Sequence, residues 1–293
     1  MARSVTLHKT SVIGLREFNE DREEYCINLS LKGVENDKYC AADFFIICDG
    51  HGGDMVSDYA APRLLEIMTD NKLSYPLSFT NVVKIFNQVQ NEIKNHKQKI
   101  GNICGSTVLI VVRYVDKNSK QECIQVINLG DCRCVMNRDG FAIPLTKDHK
   151  PSWTEEKNRI RIVNSKRQVK EQIYFDQEDW RIRCLSVSRS LGDLDAVPYI
   201  THIPESFNYQ LKANDKFIIM ACDGLWDVIR SEEAVNFVVD HFTNNNINMY
   251  KIPHVYPDPR TADNKNIARK LAEYAIARGS TDNVSILIIF FNK

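Results

Sequence analysis

The sequence predicts an α+β chain in which antiparallel sheets carry helices on their outer faces. Strand-like runs rich in Val, Ile and Phe mostly follow one another, while helical patterns come in separate blocks. That order argues against a regular alternation of strand and helix around a parallel sheet. A local signal agrees: "NRDGFAIPL" contains Asp139-Gly140, a pair suited to the tight turn between two antiparallel strands.

Phe44–Cys48 is the first clear strand, apolar at every position and so buried on both faces. It runs straight into Asp49, a charge that does not belong in a core. A helix follows over about Met55–Thr69; Pro62 lies inside it and predicts a kink or an early first turn. Val82, Phe86, Val89, Ile93 and Ile100 recur at helical steps, with one longer gap, and predict a helix over Val82–Ile100. Strands follow at Val108–Val115 and Cys123–Leu129. Pro151–Asp179 is polar and charged and reads as a loop. Phe217–Ala221 is a further buried strand, ending in a second Cys-Asp-Gly. Ser231, with Glu232 and Glu233 behind it, is a suitable start for a helix. Thr243–Thr261, with three asparagines in a row and three prolines, reads as a second loop. A last helix covers about Asn264–Arg278 and stops at Gly279, and Val284–Phe291 is the final strand.

Composition narrows the class. The chain has 293 residues, 43% hydrophobic and 26% charged, enough for one large domain or two small ones. Lys+Arg and Asp+Glu are both 38, so the basic excess of a nucleic-acid binder is missing. No apolar run reaches the ~18 residues that cross a bilayer. The start "MARSVTLHKT" has no apolar signal region and no Gly at position 2, so neither secretion nor myristoylation is expected. Nine cysteines with no Cys-x-x-Cys pair read as small buried hydrophobes of a reducing compartment, cytosol or nucleus, rather than as a disulfide framework. Cys48, Cys184 and Cys222 sit in apolar, strand-like runs. Nothing demands more than a monomer.

The chemistry lies in acidic residues at strand ends. Asp49 ends the first buried strand, Asp131 follows "INLG", Asp223 ends "FIIMAC" with Asp227 one turn further, and Asp282 sits between a helix end and a strand. Glu20 and Asp21 lie in "GLREFNED". One such Asp is ordinarily a turn former. Several on apolar strands imply that buried strands gather carboxylates, which repel unless cations neutralise them. All-oxygen ligands select hard ions, Mg²⁺ or Mn²⁺. Gly50, having no side chain, would let its carbonyl approach such an ion. Arg16 could supply a fork to phosphate. His51, two residues past Asp49, could protonate a leaving alkoxide. Two ions about 3.5–4 Å apart can bridge a water, lower its pKa and clamp an in-line displacement.

Eight motifs stand in one order from about Val12 to Phe291: "GLREFNEDR", "DGHGG", "GST", "GDCR", "TKDHKPS", "LSVSRSLGD", "CDGLWDV" and "GSTDNVSI". Together they resemble the metal-dependent Ser/Thr protein phosphatases of the PPM, or PP2C, family. The resemblance implies a central β-sandwich of two antiparallel sheets flanked by helices on both outer faces, a four-layer αββα arrangement, with metals at one end. It implies a single catalytic domain over residues 1–293 with a variable flap at about 151–184, acting on phosphoserine and phosphothreonine proteins without a covalent phosphoenzyme. By the same resemblance Asp49 bridges two Mg²⁺ or Mn²⁺ ions. Glu20 and the Gly50 carbonyl serve one ion, Asp223 and Asp282 the other, and Asp131 and Asp227 a third, weaker one. Arg16 matches the phosphate-binding arginine and His51 the general acid, with Asp21 and Asn283 in support; Thr107 of "GST" need not touch the chemistry. The flap departs from the pattern: "KNRIRIVNSKRQVK" lacks the usual Gly pair.

Three other readings compete. Cys132 and Arg138 have the Cys-x5-Arg spacing of cysteine-dependent phosphatases, but the interior has no Gly to wrap backbone N–H groups round a phosphate, and a strand fits better. A PPM-like module that binds a phosphorylated partner without cleaving it would show a lost ligand, and none is lost. Another two-metal phosphoesterase would share the metal site.

Overall fold

The structure, a computed structural model, describes residues 3–31, 40–70, 73–116, 118–177, 179–243 and 266–292. In chain order its elements are β1 (Val5–Val12), β2 (Arg22–Leu31), β3 (Cys40–Cys48), β4 (Gly50–His51), α1 (Met55–Met68), α2 (Phe79–Lys94), β5 (Gly105–Ser106), β6 (Val108–Val115), β7 (Glu122–Leu129), β8 (Arg133–Arg138), β9 (Phe141–Pro144), α3 (Thr154–Ser165), β10 (Tyr174–Asp176), β11 (Asp179–Arg181), β12 (Leu191–Gly192), β13 (Glu205–Gln210), β14 (Asp215–Ala221), α4 (Asp223–Trp226), α5 (Ser231–Thr243), α6 (Ile267–Ala277) and β15 (Val284–Phe291).

Two five-stranded sheets form the centre, ordered β1-β15-β14-β8-β9 and β13-β7-β6-β3-β2, and every pairing within them is antiparallel. Strand alternation builds three apolar layers. Along β3, Phe45 and Ile47 face the gap between the sheets, where they meet Leu109, Val111, Ile218, Met220, Leu287 and Ile289. Phe44, Ile46 and Cys48 face the other way, into a cluster with Leu64, Met68, Phe86 and Val89 of α1 and α2. Ile286, Ile288 and Phe290 of β15 face α5 and α6, against Phe237, Val238, Leu271 and Ala275. Residues buried on both faces of one strand therefore belong to two different cores, so the strands read as unbroken apolar runs. This is the expected sandwich with helices outside.

Several expectations change in detail. α1 runs unbroken through Pro62, which lies in its interior. α2 starts at Phe79, capped by the Ser78 side chain, and stops at Lys94; Ile100 belongs to a separate short 3₁₀ turn. The segment expected as a loop over 151–179 holds α3 and most of the β10–β11 hairpin. Its helix is polar on nearly all sides, with only Glu156 and Ile160 buried, so apolar periodicity could not mark it. Cys184 is exposed at positive φ in a turn, not in a strand. Cys26, Cys48, Cys104, Cys123, Cys132, Cys134, Cys184 and Cys222 are unbridged. Asp139 and Gly140 both take positive φ between β8 and β9, the geometry of the expected tight turn. Cys132 is buried ahead of β8, and Arg138 ends that strand paired with Asp215, so the Cys-x5-Arg segment forms no phosphate loop. Most of the Thr243–Thr261 segment and the first residues of the last predicted helix lie outside the described residues. No helix among the described residues is long and apolar enough to cross a membrane.

Candidate metal centre

The acidic residues meet at one end of the sandwich, delivered by both sheets. Asp49 follows β3, Asp223 opens α4 after β14, and Asp131 lies in the link from β7 to β8, where the chain passes from one sheet to the other. Carboxylate oxygens of Asp49, Asp131 and Asp223 all lie within 4.8 Å of one another, and a second group at that spacing joins Asp49 to Asp21 and the Cys222 thiol.

Crowding is written in the proton affinities. Burial pushes the Asp49 carboxyl well above the usual range, and the charges of Asp223, Asp21, Asp131 and Asp282 push the same way. Asp223 is raised by burial, Asp131 and Asp227, with Lys150 opposing. Asp21 is pushed up to about 6, chiefly by burial and further by the Asp282 charge, against hydrogen bonding from Ser285 and Cys222. Asp227, at the rim, reaches about 6 through partial loss of water and the nearby Asp131, Asp179 and Asp148, again against Lys150.

Two cations answer the cluster. Lys150 Nζ stands 2.6 Å from Asp131 Oδ2 and 3.0 Å from Asp179 Oδ2 of β11, so it ties the flap to the acidic group. Arg16 Nη2 stands 2.7 Å from Asp282 Oδ2 and is 53% exposed. Two oxygens remain unanswered: Asp21 Oδ2 and Asp131 Oδ1 are buried and meet no hydrogen-bond donor. Carboxylates that raise one another's proton affinity, with buried acceptors left over, fit a hard divalent cation.

The other predicted residues take varied places. Glu20 is fixed through its backbone: its N–H donates to Asn283 Oδ1 at 2.8 Å, and its carbonyl accepts from Ser57 Oγ at 2.5 Å. Its carboxylate lies outside the two close groups. Gly50 pairs with Ser106 across β4 and β5. Asp282 and Asp227 reach the centre through their charge and are not in the close groups. Asn283 ties down the loop after β1, its Nδ2 donating to the carbonyls of Ile13 (2.9 Å) and Phe18 (3.0 Å). His51 Nε2 is 2.7 Å from Asp193 Oδ2. Burial works against the charged imidazole, yet the hydrogen bond and charge of Asp193, helped by Asp131 and Glu20, raise its pKa.

Sequence reasoning passed over three residues. Asp193 orients His51, and Gly105 makes room for the pair, since a Cβ there would sit 2.2 Å from Asp193 Oδ2 and 2.3 Å from His51 Nε2. Thr107 holds Asp49 from both sides, donating its N–H to the Asp49 carbonyl at 2.8 Å and accepting the Asp49 N–H on Oγ1 at 3.3 Å. Lys150 is the third. Each lies in a quoted motif, "LSVSRSLGD", "GST" or "TKDHKPS", and membership of those motifs was the available signal.

The sequence profile of the protein phosphatase 2C family matches residues 7–284. The chain belongs to the protein phosphatase 2C family. A PP2C-like domain-containing protein, R307, of Acanthamoeba polyphaga mimivirus is 61% identical over 175 residues, 60% of this chain and 98% of that protein. Protein phosphatase 2C homolog 1 of Schizosaccharomyces pombe is 30% identical over 247 residues, covering 84% of this chain and 63% of the yeast protein. Probable protein phosphatase 2C 11 of Arabidopsis thaliana is 29% identical over 249 residues, 85% of this chain and 58% of the plant protein. The chain thus spans about three fifths of these yeast and plant relatives. Among solved structures, the serine-threonine phosphatase 2C of Toxoplasma gondii superposes with a TM-score of 0.71 at 21% identity, over 99% of this chain and 95% of that one. A sex-determining protein of C. elegans gives 0.76 at 23%, over 99% and 65%. At these identities the structures speak for the PP2C fold.

Proposed function

We propose that this chain is a metal-dependent protein serine/threonine phosphatase, acting as one catalytic domain that hydrolyses phosphoserine and phosphothreonine without a covalent phosphoenzyme. The observation that carries it is the meeting of Asp49, Asp131 and Asp223, with buried oxygens left unanswered, beside the half-exposed Arg16. Membership of the phosphatase 2C family supports the same reading.

Asp49, Asp223 and Asp282, with Glu20 and the Gly50 carbonyl, would hold two Mg²⁺ or Mn²⁺ ions, and Asp131 with Asp227 a third. Such ions supply a lowered pKa to an attacking water and neutralise charge on the phosphoryl oxygens. Arg16 offers a planar fork to two phosphate oxygens, held near the centre by the short loop that Asn283 fixes. His51 donates a proton to the departing serine or threonine oxygen, and Asp193 favours the charged imidazole and aims it. Thr107 fixes the main chain on both sides of Asp49.

The test is hydrolysis of p-nitrophenyl phosphate and a phosphothreonine peptide with Mn²⁺ or Mg²⁺. Activity should vanish in excess EDTA and survive a thiol alkylator. Full turnover in EDTA, or loss on alkylation alone, overturns the reading.

A further inference from the structure

Leu15 and Phe18 are large apolar side chains left 66% and 72% exposed. Single exposed apolar residues are ordinary on a protein surface. These two differ in how firmly they are held and in what lies between them. Gly14 sits at positive φ, and a Cβ there would fall 2.0 Å from the Asp282 carbonyl oxygen, so the loop is pressed against the residue that Arg16 pairs with. The Arg16 N–H reaches back to the Ile13 carbonyl at 3.4 Å. Asn283 holds the Ile13 and Phe18 carbonyls, one on each side of Leu15 and Arg16. The backbone is fixed at both ends while the two apolar side chains are given to water, at either side of the arginine.

We infer that Leu15 and Phe18 form an apolar rim that selects phosphoprotein substrates carrying bulky hydrophobic residues close to the phosphorylated position. The inference rests on the phosphatase reading and adds a substrate class to it. The reach fits. Consecutive Cα atoms stand ~3.8 Å apart and an extended chain advances ~3.3 Å per residue. Leu15 and Phe18, one and two residues from Arg16, therefore face peptide positions one to three residues from a phosphate on that arginine. A rim already held in place loses little conformational entropy when a peptide covers it, so the apolar contact is expressed as binding. The occupant is thus the substrate polypeptide itself, continuous with the phosphate site, rather than a second copy of the chain.

The experiment uses the full chain loaded with Mn²⁺ and three substrates. These are p-nitrophenyl phosphate, a phosphothreonine peptide with Leu or Phe at the two positions on each side, and the same peptide with Gly and Ser there. The expected result is a kcat/KM about tenfold higher for the apolar peptide, expressed mainly in KM. The double variant L15S/F18S should bring the two peptides to parity while keeping the wild-type rate on p-nitrophenyl phosphate. L15M/F18L should retain the preference. Equal rates for both peptides with the wild type overturn the inference, as does a preference that survives in L15S/F18S. A double variant that loses p-nitrophenyl phosphate activity in the same proportion would show a structural role and overturn it too. Failure of the wild type to cleave p-nitrophenyl phosphate at all would instead sink the phosphatase reading, and this inference with it.

Discussion

At the scale of single residues, the His51–Asp193 pair allows a sharp division of labour. A proton donor matters most when the leaving oxygen is a poor one. His51→Ala should therefore slow phosphothreonine peptide turnover by about a hundredfold or more and p-nitrophenyl phosphate much less. Asp193→Asn should repeat that pattern in weaker form, measured as kcat on both substrates; equal losses on both would remove the pair from proton transfer. Asn283 invites a structural test. It makes three hydrogen bonds to the loop over 13–20, each worth roughly 0.5–1.5 kcal/mol. Asn283→Ala should cost about 2–4 kcal/mol in urea unfolding and weaken Mn²⁺ binding in calorimetry; unchanged affinity would detach that loop from the metal centre. Asp49 and Asp223 were legible because each interrupts an apolar run. Asp193, Thr107 and Lys150 were not, because their importance comes from partners distant in sequence: His51 lies 142 positions from Asp193.

At the scale of elements, the flap shows why polar segments hide their structure. α3 is anchored by a carboxylate rather than by an apolar stripe. Glu156 is 1% exposed and accepts from Arg159 at 2.8 Å and Arg189 at 2.6 Å. Burial raises its pKa, but the two guanidinium groups prevail and hold it below the ordinary value of 4.5. A depressed folded-state pKa contributes stability above pH 4.5 that fades as pH falls below it. Limited proteolysis between α3 and β11 should accordingly quicken as pH drops below about 4.5, and Glu156→Gln should show the fast cleavage already at pH 7, since removing one partner of a buried ion pair costs roughly 3–5 kcal/mol. Protection at pH 7 in the variant would mean that Ile160 and its apolar neighbours suffice. The central strands β3, β6, β7, β14 and β15 were legible from runs rich in Val, Ile, Leu and Phe. β1 and β2 were not, since they are only partly buried and mix charges among apolar residues; nor was the largely exposed β13.

At the scale of the whole molecule, carboxylates gathered without ions oppose folding. An Asp49 pKa raised in the folded state means that its ionised form is favoured in the unfolded chain, so its cost grows as pH rises past the ordinary carboxylate value. Asp49→Asn should therefore raise the melting temperature in EDTA at pH 7 while lowering turnover by orders of magnitude and removing the stabilisation that Mn²⁺ gives the wild type, about 2.7 kcal/mol at a hundredfold excess over Kd. A variant less stable than wild type in EDTA would contradict the crowding. The same carboxylates come from opposite sheets, Asp49 from one, Asp223 from the other and Asp131 from the chain that crosses between them. The layer of Ile47, Val111, Met220 and Leu287 is then a spacer as well as a core. Its side chains set the width of the jaws in which divalent ions would be gripped, so a methylene gained or lost deep in the sandwich should be felt as a change in metal preference at its end.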